Sequence, residues 1–350
     1  MNGDLTPFER AMNVVKKWRD CNRLLSGHLG GSAIFAAKHM GFHLAEAYYS
    51  TMDNLIAAEQ EDRMTDVKPA KGDRGFVIDA PDYLRRSAGV VVLHRLCHDL
   101  NALGYPAFVR SNYSPRHLCA PTVSLAGARK LAKNGFVAVY PEITVGNPFR
   151  ATKIMRWVLN APGLIGGDAV FDDAEQVFYY ADVFRASIRN RTVGKLFMPV
   201  VERDLFHDGT IRDEERTLEC YYTGKSGFRP GYVNVENMFE ITRRSPCHED
   251  LPKLFRHSKA LYTFDNTTSL THEALMCGCR VVLIPDGTQT RESIAAQEYG
   301  DTGITWFEDG ISPLGHAEIS QAVLKRIEAL EREYAEELKR MVSVFWGGGR

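Results

Sequence analysis

From residue 76 onward, short apolar runs alternate with amphipathic stretches, and turn residues separate them. The run FVIDAP at 76–81 reads as a buried strand, and 87–103 (SAGVVVLHRLCHDLNAL) as a helix closed by Gly104. PAFVRS at 106–111 is a second strand. A helix over 124–135 then precedes a strand at 136–140. Residues 149–160 are expected to form a helix stopped by Ala161-Pro162-Gly163, with strands following at 176–182 and 193–201. Strands alternating with helices predict βαβ units, hence parallel sheets joined by right-handed crossovers.

The pattern repeats further along. LECYYTGKSGF at 218–228 reads as a strand and glycine turn, and 234–244 as another strand. Residues 247–264 read as a short helix feeding a strand that ends at Phe264. A polar turn at 265–268 leads into a helix over 269–277 that ends at Gly278. The run 280–284 is a buried strand stopped by Pro285-Asp286-Gly287. Residues 316–345 form a long charged helix with apolar positions at Ile319, Val323, Ile327, Leu330 and Leu338.

Before this α/β region, residues 7–62 read as helices punctuated by Gly27, Gly30-Gly31 and Gly41. Phe42, Ala45, Tyr49, Met52, Leu55 and Ile56 give one apolar face. That face is expected either to pack on the first domain or to meet a partner, a second subunit or a membrane surface. A polar linker at 65–75 closes the segment. The expected organisation is a helical module over 1–72, a domain over 73–200, a second over 201–312, and a terminal helix over 313–350. A length of 350 residues suits two ordinary domains.

Composition narrows the function classes. Hydrophobic content of 44% and charged content of 25% are those of a soluble globular protein. A net charge of −1 supplies no basic field for nucleic acid. No run of eighteen apolar residues predicts a membrane span, and the first residues lack an apolar leader core. Cys21, Cys97, Cys119, Cys220, Cys247, Cys277 and Cys279 are scattered without a CxxC pair, which suits free thiols in a reducing cytoplasm. The pairs His39/His43 and His94/His98 lack companion ligands and read as ordinary packed or exposed histidines, so no metal site is expected.

Candidate chemistry falls in two places. The turn after the 260–264 strand offers Thr267, Thr268 or Ser269 as a helix N-cap. Its hydroxyls and backbone amides at a helix start suit a phosphate. Glu273, one turn further on, can accept two hydrogen bonds from a ribose diol. The other place is the loop 140–148, at the carboxyl end of a parallel strand, where open sheets bind ligands. Glu142, Asn147 and Arg150 are its reactive candidates, beside Tyr140. The plain alternative leaves Glu142 and Glu273 as solvated charges and Asn147-Pro148 as turn chemistry.

Asp265, seven residues, Glu273-Ala274, then Gly278 and Val281-Val282 resembles the C-terminal domain of GT-B glycosyltransferases, especially the retaining family-four group. The departure is Asp265, where that family usually has Glu. Ser87-Ala88-Gly89 resembles the Gly-bearing loop near the donor phosphates, and 198–206 (MPVVERDLF) the segment joining the two domains. Gly224 and Lys225 match the glycine turn and the basic residue that binds the donor diphosphate, with Arg229 a second basic candidate. The resemblance implies two Rossmann-like domains, the second small because 226–250 is short, and a last helix crossing back to the first. It implies a sugar moved from a nucleotide-diphosphate sugar to a hydroxyl on a glycan or glycolipid, without metal or further cofactor. The setting would be bacterial surface polysaccharide or glycoconjugate assembly, in the cytoplasm or at the inner membrane face.

On that reading Asn266, Thr267, Thr268, Ser269 and Lys225 hold the diphosphate, Glu273 the ribose, and Asp265 the donor sugar. Glu142 is the general base or sugar ligand on the acceptor side. The Asp-x7-Glu pattern leans toward retention of configuration. A nucleotide-sugar epimerase of the same fold and a non-catalytic sugar-binding scaffold are the alternatives.

Overall fold

A computed structural model describes residues 74–347, apart from 86, 116, 210, 225–228, 243–247, 266, 267, 286 and 288. The helical module expected over residues 1–72, with its apolar face, lies outside the described residues. The described chain divides into two compact units. One comprises 74–200, 291–300 and 324–347, and the other 201–290 and 301–323.

The first unit is built on seven strands: β1 (Phe76–Asp79), β2 (Ala107–Arg110), β3 (Thr122–Val123), β4 (Val137–Pro141), β5 (Ile154–Val158), β6 (Gln176–Tyr179) and β7 (Thr192–Lys195). All pair in parallel, in the order β3-β2-β1-β4-β5-β6-β7. Helices α1 (Ala88–Ala102), α2 (Leu125–Lys133), α3 (Asp182–Arg185) and α6 (Arg291–Ala295) belong to the same unit. The sequence of β1 shows why the sheet must be covered twice. Phe76 and Ile78 face one way and Val77 the other, and all three are fully buried. On the Phe76 side lie Val92, Leu93, Leu96 and Leu100 of α1, together with Tyr334, Leu338, Met341 and Val342 near the chain's end. On the Val77 side lie Ala128 and Leu131 of α2 with Phe136 and Phe149. Ser124 caps α2, its Oγ accepting from the Gly127 N–H at 3.1 Å.

Residues 149–160 do not form the expected helix. They contain β5, between β4 and β6. The run IMRWV is rich in branched and aromatic residues that suit a central strand, and its charge, Arg156, is fully buried rather than on a solvated helix face. Strand β3, of two residues, has no counterpart in the sequence reading either.

The second unit holds β8 (Leu218–Tyr222), β9 (Phe239–Ile241), β10 (Ser258–Thr263), β11 (Arg280–Leu283) and β12 (Ile304–Trp306), with α4 (Leu251–His257) and α5 (Leu270–Met276). Its strands are again parallel, ordered β12-β11-β10-β8-β9. Between β8 and β9, the described residues of 223–238 carry no helix. That is where the sequence is short. Tyr221, Val233, Val235, Phe264 and Ile284 fill a core beside it.

The last helix, α7 (His316–Trp346), runs through the boundary of the two units at residue 323. Among the described cysteines, Cys97, Cys220, Cys277 and Cys279 are buried and Cys119 is exposed, all of them free thiols. No described helix is long and apolar enough to cross a membrane.

Candidate functional site

Parallel sheets present their strand carboxyl ends on one edge, and a crevice opens where the strand order reverses. Each sheet has one such point. In the five-stranded sheet it lies between β8 and β10, and the residues leaving those strands are Gly224 and Asp265. Gly224 has φ 72°, and a Cβ on it would lie 2.4 Å from the Asp265 Cβ and 2.7 Å from Oδ2. Only glycine permits this approach. The Asp265 turn is fixed by Thr263, whose Oγ1 accepts from the Asp265 N–H at 3.2 Å and donates to the Asp265 carbonyl at 3.0 Å.

Beyond that turn, the Thr268 Oγ1 accepts from the Leu270 N–H at 3.3 Å. The Ser269 carbonyl accepts from the N–H groups of His272 and Glu273, starting α5, while the Ser269 hydroxyl makes no capping bond. Glu273 is 7% exposed, so it is a buried residue of α5 rather than a solvated charge. Arg229 is exposed and acts electrostatically on Tyr221 of β8, as does Glu240. Burial pushes the Tyr221 phenol up and Glu240 adds to this, with Arg229 opposing. Lys225, Asn266 and Thr267 lie outside the described residues.

In the seven-stranded sheet the order reverses between β1 and β4, and their carboxyl ends border a cavity of about 350 Å³. Asp79, Arg110, Pro141, Ile143 and Thr144 are among its lining. Asp79 is 4% exposed. Its Oδ1 accepts from Arg110 Nε at 2.6 Å, and its Oδ2 from Thr144 Oγ1 at 2.8 Å. The parallel register sets Asp79 beside Arg110, so the two strands deliver the pair together.

The loop leaving β4 is held from below by Arg156. This fully buried arginine forks onto Glu175, with Nε–Oε2 at 2.8 Å and Nη2–Oε1 at 3.0 Å. Its remaining hydrogens go to the carbonyls of Thr144 (2.8 Å), Gly146 (3.1 Å) and Pro141 (3.3 Å). The ring of Phe171 lies 4.8 Å from its guanidinium carbon.

Glu142 follows β4 directly but does not line the cavity. Its carboxylate accepts from the Leu159 N–H at 2.8 Å, and the residue is 2% exposed. Burial pushes its carboxyl up, opposed by backbone N–H bonds from Leu159, Glu142 and Asn160. Gly167 explains how the neighbouring loop closes over it. With φ 76°, a Cβ there would sit 1.9 Å from the Glu142 carbonyl.

The Tyr140 hydroxyl donates to Asn147 Oδ1 at 2.8 Å and accepts from the Phe149 N–H at 3.0 Å. Asn147 also exchanges two 2.9 Å bonds with the Ala151 backbone. These two side chains therefore fold the loop's end, where Arg150 takes φ 57°. Gly89 sits in the first turn of α1, and a Cβ there would meet Leu159 at an ordinary 3.8 Å.

Asp79, Arg110 and Thr144 were not singled out by the sequence. The signal was a polar residue ending each of two buried runs, FVID and AFVR. His94, one of the paired histidines, donates from Nε2 to the Pro81 carbonyl and accepts at Nδ1 from Ser114, both at 3.0 Å. His98 Nδ1 accepts from the Cys119 N–H at 2.9 Å.

No protein-family model matches the chain, and no curated protein matches it. Among solved structures, sucrose-phosphate synthase from Thermosynechococcus elongatus superposes with a TM-score of 0.50 at 9% identity, covering 78% of this chain and 100% of that one. The likeness shows the fold, which is the two-domain α/β fold of GT-B type. A structure of GsuK bound to ADP matches 86% of this chain and 81% of its own at 11% identity, but its TM-score of 0.27 is too low to bear on the fold.

Proposed function

We propose that the chain is a glycosyltransferase, moving a sugar from a nucleotide-diphosphate sugar to a hydroxyl acceptor. The observation that carries this reading is the contact of Gly224 with Asp265 at the reversal point of the five-stranded sheet, followed by the buried Glu273. The missing side chain at Gly224 lets Asp265 pack against the end of the neighbouring strand, and two carboxylates separated by seven residues can read a sugar and a ribose. The fold shared with sucrose-phosphate synthase supports the same reading. In it Glu273 holds the ribose and Asp265 touches the donor sugar, while Thr268, Ser269 and Arg229, with Lys225, Asn266 and Thr267, bind the diphosphate. Preorganised donors of that kind stabilise a leaving diphosphate without a metal. Glu142 remains the acceptor-side candidate of this proposal although its carboxylate is bonded to the Leu159 amide and is not part of the cavity lining, and the acceptor is a glycan or glycolipid.

The test is calorimetric titration of the full chain with a panel of nucleoside diphosphates and nucleotide sugars. One nucleotide should bind, and Glu273→Ala should weaken it by roughly 1–3 kcal/mol, about 5- to 150-fold, because ribose hydroxyls lose their acceptor in a buried setting. Failure of every nucleotide to bind, or equal affinity in Glu273→Ala, removes the assignment.

A further inference from the structure

The cavity at the carboxyl ends of β1 and β4 is walled by Ala80, Pro81, Pro141, Ile143, Val145 and Pro148, and its charged lining residues are Asp79 and Arg110 alone. The two are unequally placed. The Asp79 side chain is 5% exposed and that of Arg110 is 42% exposed, so the carboxylate is sealed beneath while the guanidinium stands in the opening. Asp79 Oδ1 takes Arg110 Nε and Nη2, and the Thr144 hydroxyl occupies Oδ2. Among the described residues, Asp79 is the only carboxylate paired with Arg110, and the Nη1 hydrogens and the outer Nη2 hydrogen have no acceptor. A guanidinium held by one edge in this way presents its other edge at a fixed angle. That edge matches two oxygens of a phosphate or carboxylate. Thr144 in turn is fixed through its carbonyl by the buried Arg156, so the orienting carboxylate has a rigid support.

We propose that this cavity binds its ligand through an oxyanion, a phosphate or carboxylate group, with Arg110 as the anion-binding side chain and Asp79 as its positioning residue. Calling the ligand the acceptor substrate, and hence an anionic acceptor, rests on the function proposed above. The anion site itself does not. Because the ion pair is formally neutral, affinity for a small anion should be weak, with a dissociation constant on the order of millimolar.

The experiment follows glycerol phosphate binding to the full chain by phosphorus NMR, with excess glycerol added as a neutral competitor that should not displace it. A second arm measures flotation with vesicles containing phosphatidic acid, which separates a lipid headgroup from a soluble ligand. Arg110→Lys keeps the charge and a contact to Asp79 but loses the fork, and should weaken binding about tenfold. Asp79→Asn/Arg110→Gln removes both charges together, leaves no uncompensated buried carboxylate, and should abolish binding with little change in unfolding temperature. Binding to either the soluble phosphate or the vesicles, lost in these variants, supports the site and names its source. Absence of binding in both arms, or equal binding in parent and variants, overturns it. So does an Arg110→Lys variant that loses nucleoside diphosphate as strongly as glycerol phosphate, since the cavity would then belong to the donor. Nucleotide binding that survives in Arg110→Lys keeps the two proposals separable.

Discussion

Arg156 carries no surface and faces no cavity, yet the geometry makes it the support of the loop that borders one. Replacing it with Met keeps the length and the apolar stem and removes every polar bond. Glu175, at 9% exposure, is left without its partner, and the carbonyls of Pro141, Thr144 and Gly146 lose their donor. Breaking a buried ion pair from one side costs about 3–5 kcal/mol, most of it the uncompensated charge left behind. At roughly 2–4 °C per kcal/mol for a unit of this size, the unfolding temperature should drop by roughly 10 °C. Adding Glu175→Leu removes the orphaned carboxylate and should restore most of that loss, because an apolar pair of similar volume is often neutral.

The loop should not recover with it. Its three carbonyls still lack the guanidinium, so backbone exchange across residues 141–150 should be faster in the single and the double variant alike. Scanning calorimetry reads the first effect and hydrogen exchange by mass spectrometry the second. A single variant within about 1 kcal/mol of the parent would refute the charge argument. Unchanged exchange at 141–150 would refute the support.

The same residue shows why part of the molecule was hidden in its sequence. In TKIMRWVLN, Lys153 and Arg156 break the apolar run at a spacing that suits a helix face, and nothing local reveals that Arg156 points at Glu175 from within a sheet. Strands β3 and β12 are too short for an alternation to register. By contrast, FVID and ALYTF are bounded by turn residues and contain nothing that competes with a strand, so both were readable. Among the site candidates, the spacing of Asp265 and Glu273 is a local property and stood in the sequence. The approach of Gly224 to Asp265 joins two strands and needed the sheet order. That Glu142 follows a strand is a local property, but the direction of its carboxylate depends on the Leu159 amide, which arrives from the next strand. Asp79 and Arg110 each close an apolar run by themselves, and only the register of β1 on β2 makes them a pair.

Two further expectations separate support from chemistry. Glu142→Ala removes the acceptor of the Leu159 N–H and should cost about 1–3 kcal/mol in urea unfolding. Glu142→Gln keeps an oxygen there, so a stable Gln variant with normal turnover would leave the residue a brace, and a stable but inactive one would make it the acceptor-side base. His94 gives a pH signature. Burial lowers its pKa below the ordinary 6.5, with the Pro81 carbonyl and Asp82 opposing, so the folded state holds the neutral ring that its two bonds require. Below 6.5 the unfolded chain binds a proton that the folded one refuses. The stability His94 contributes is therefore full above that value and lost as the pH falls, with a slope of up to about 1.4 kcal/mol per pH unit. Urea unfolding of the parent and His94→Gln between about pH 7.5 and 5 isolates this term, because every carboxylate is common to both proteins. The parent should lose stability faster than the variant on acidification. Parallel pH profiles would mean that the ring charges in place, and that Pro81 and Ser114 do not select its neutral form.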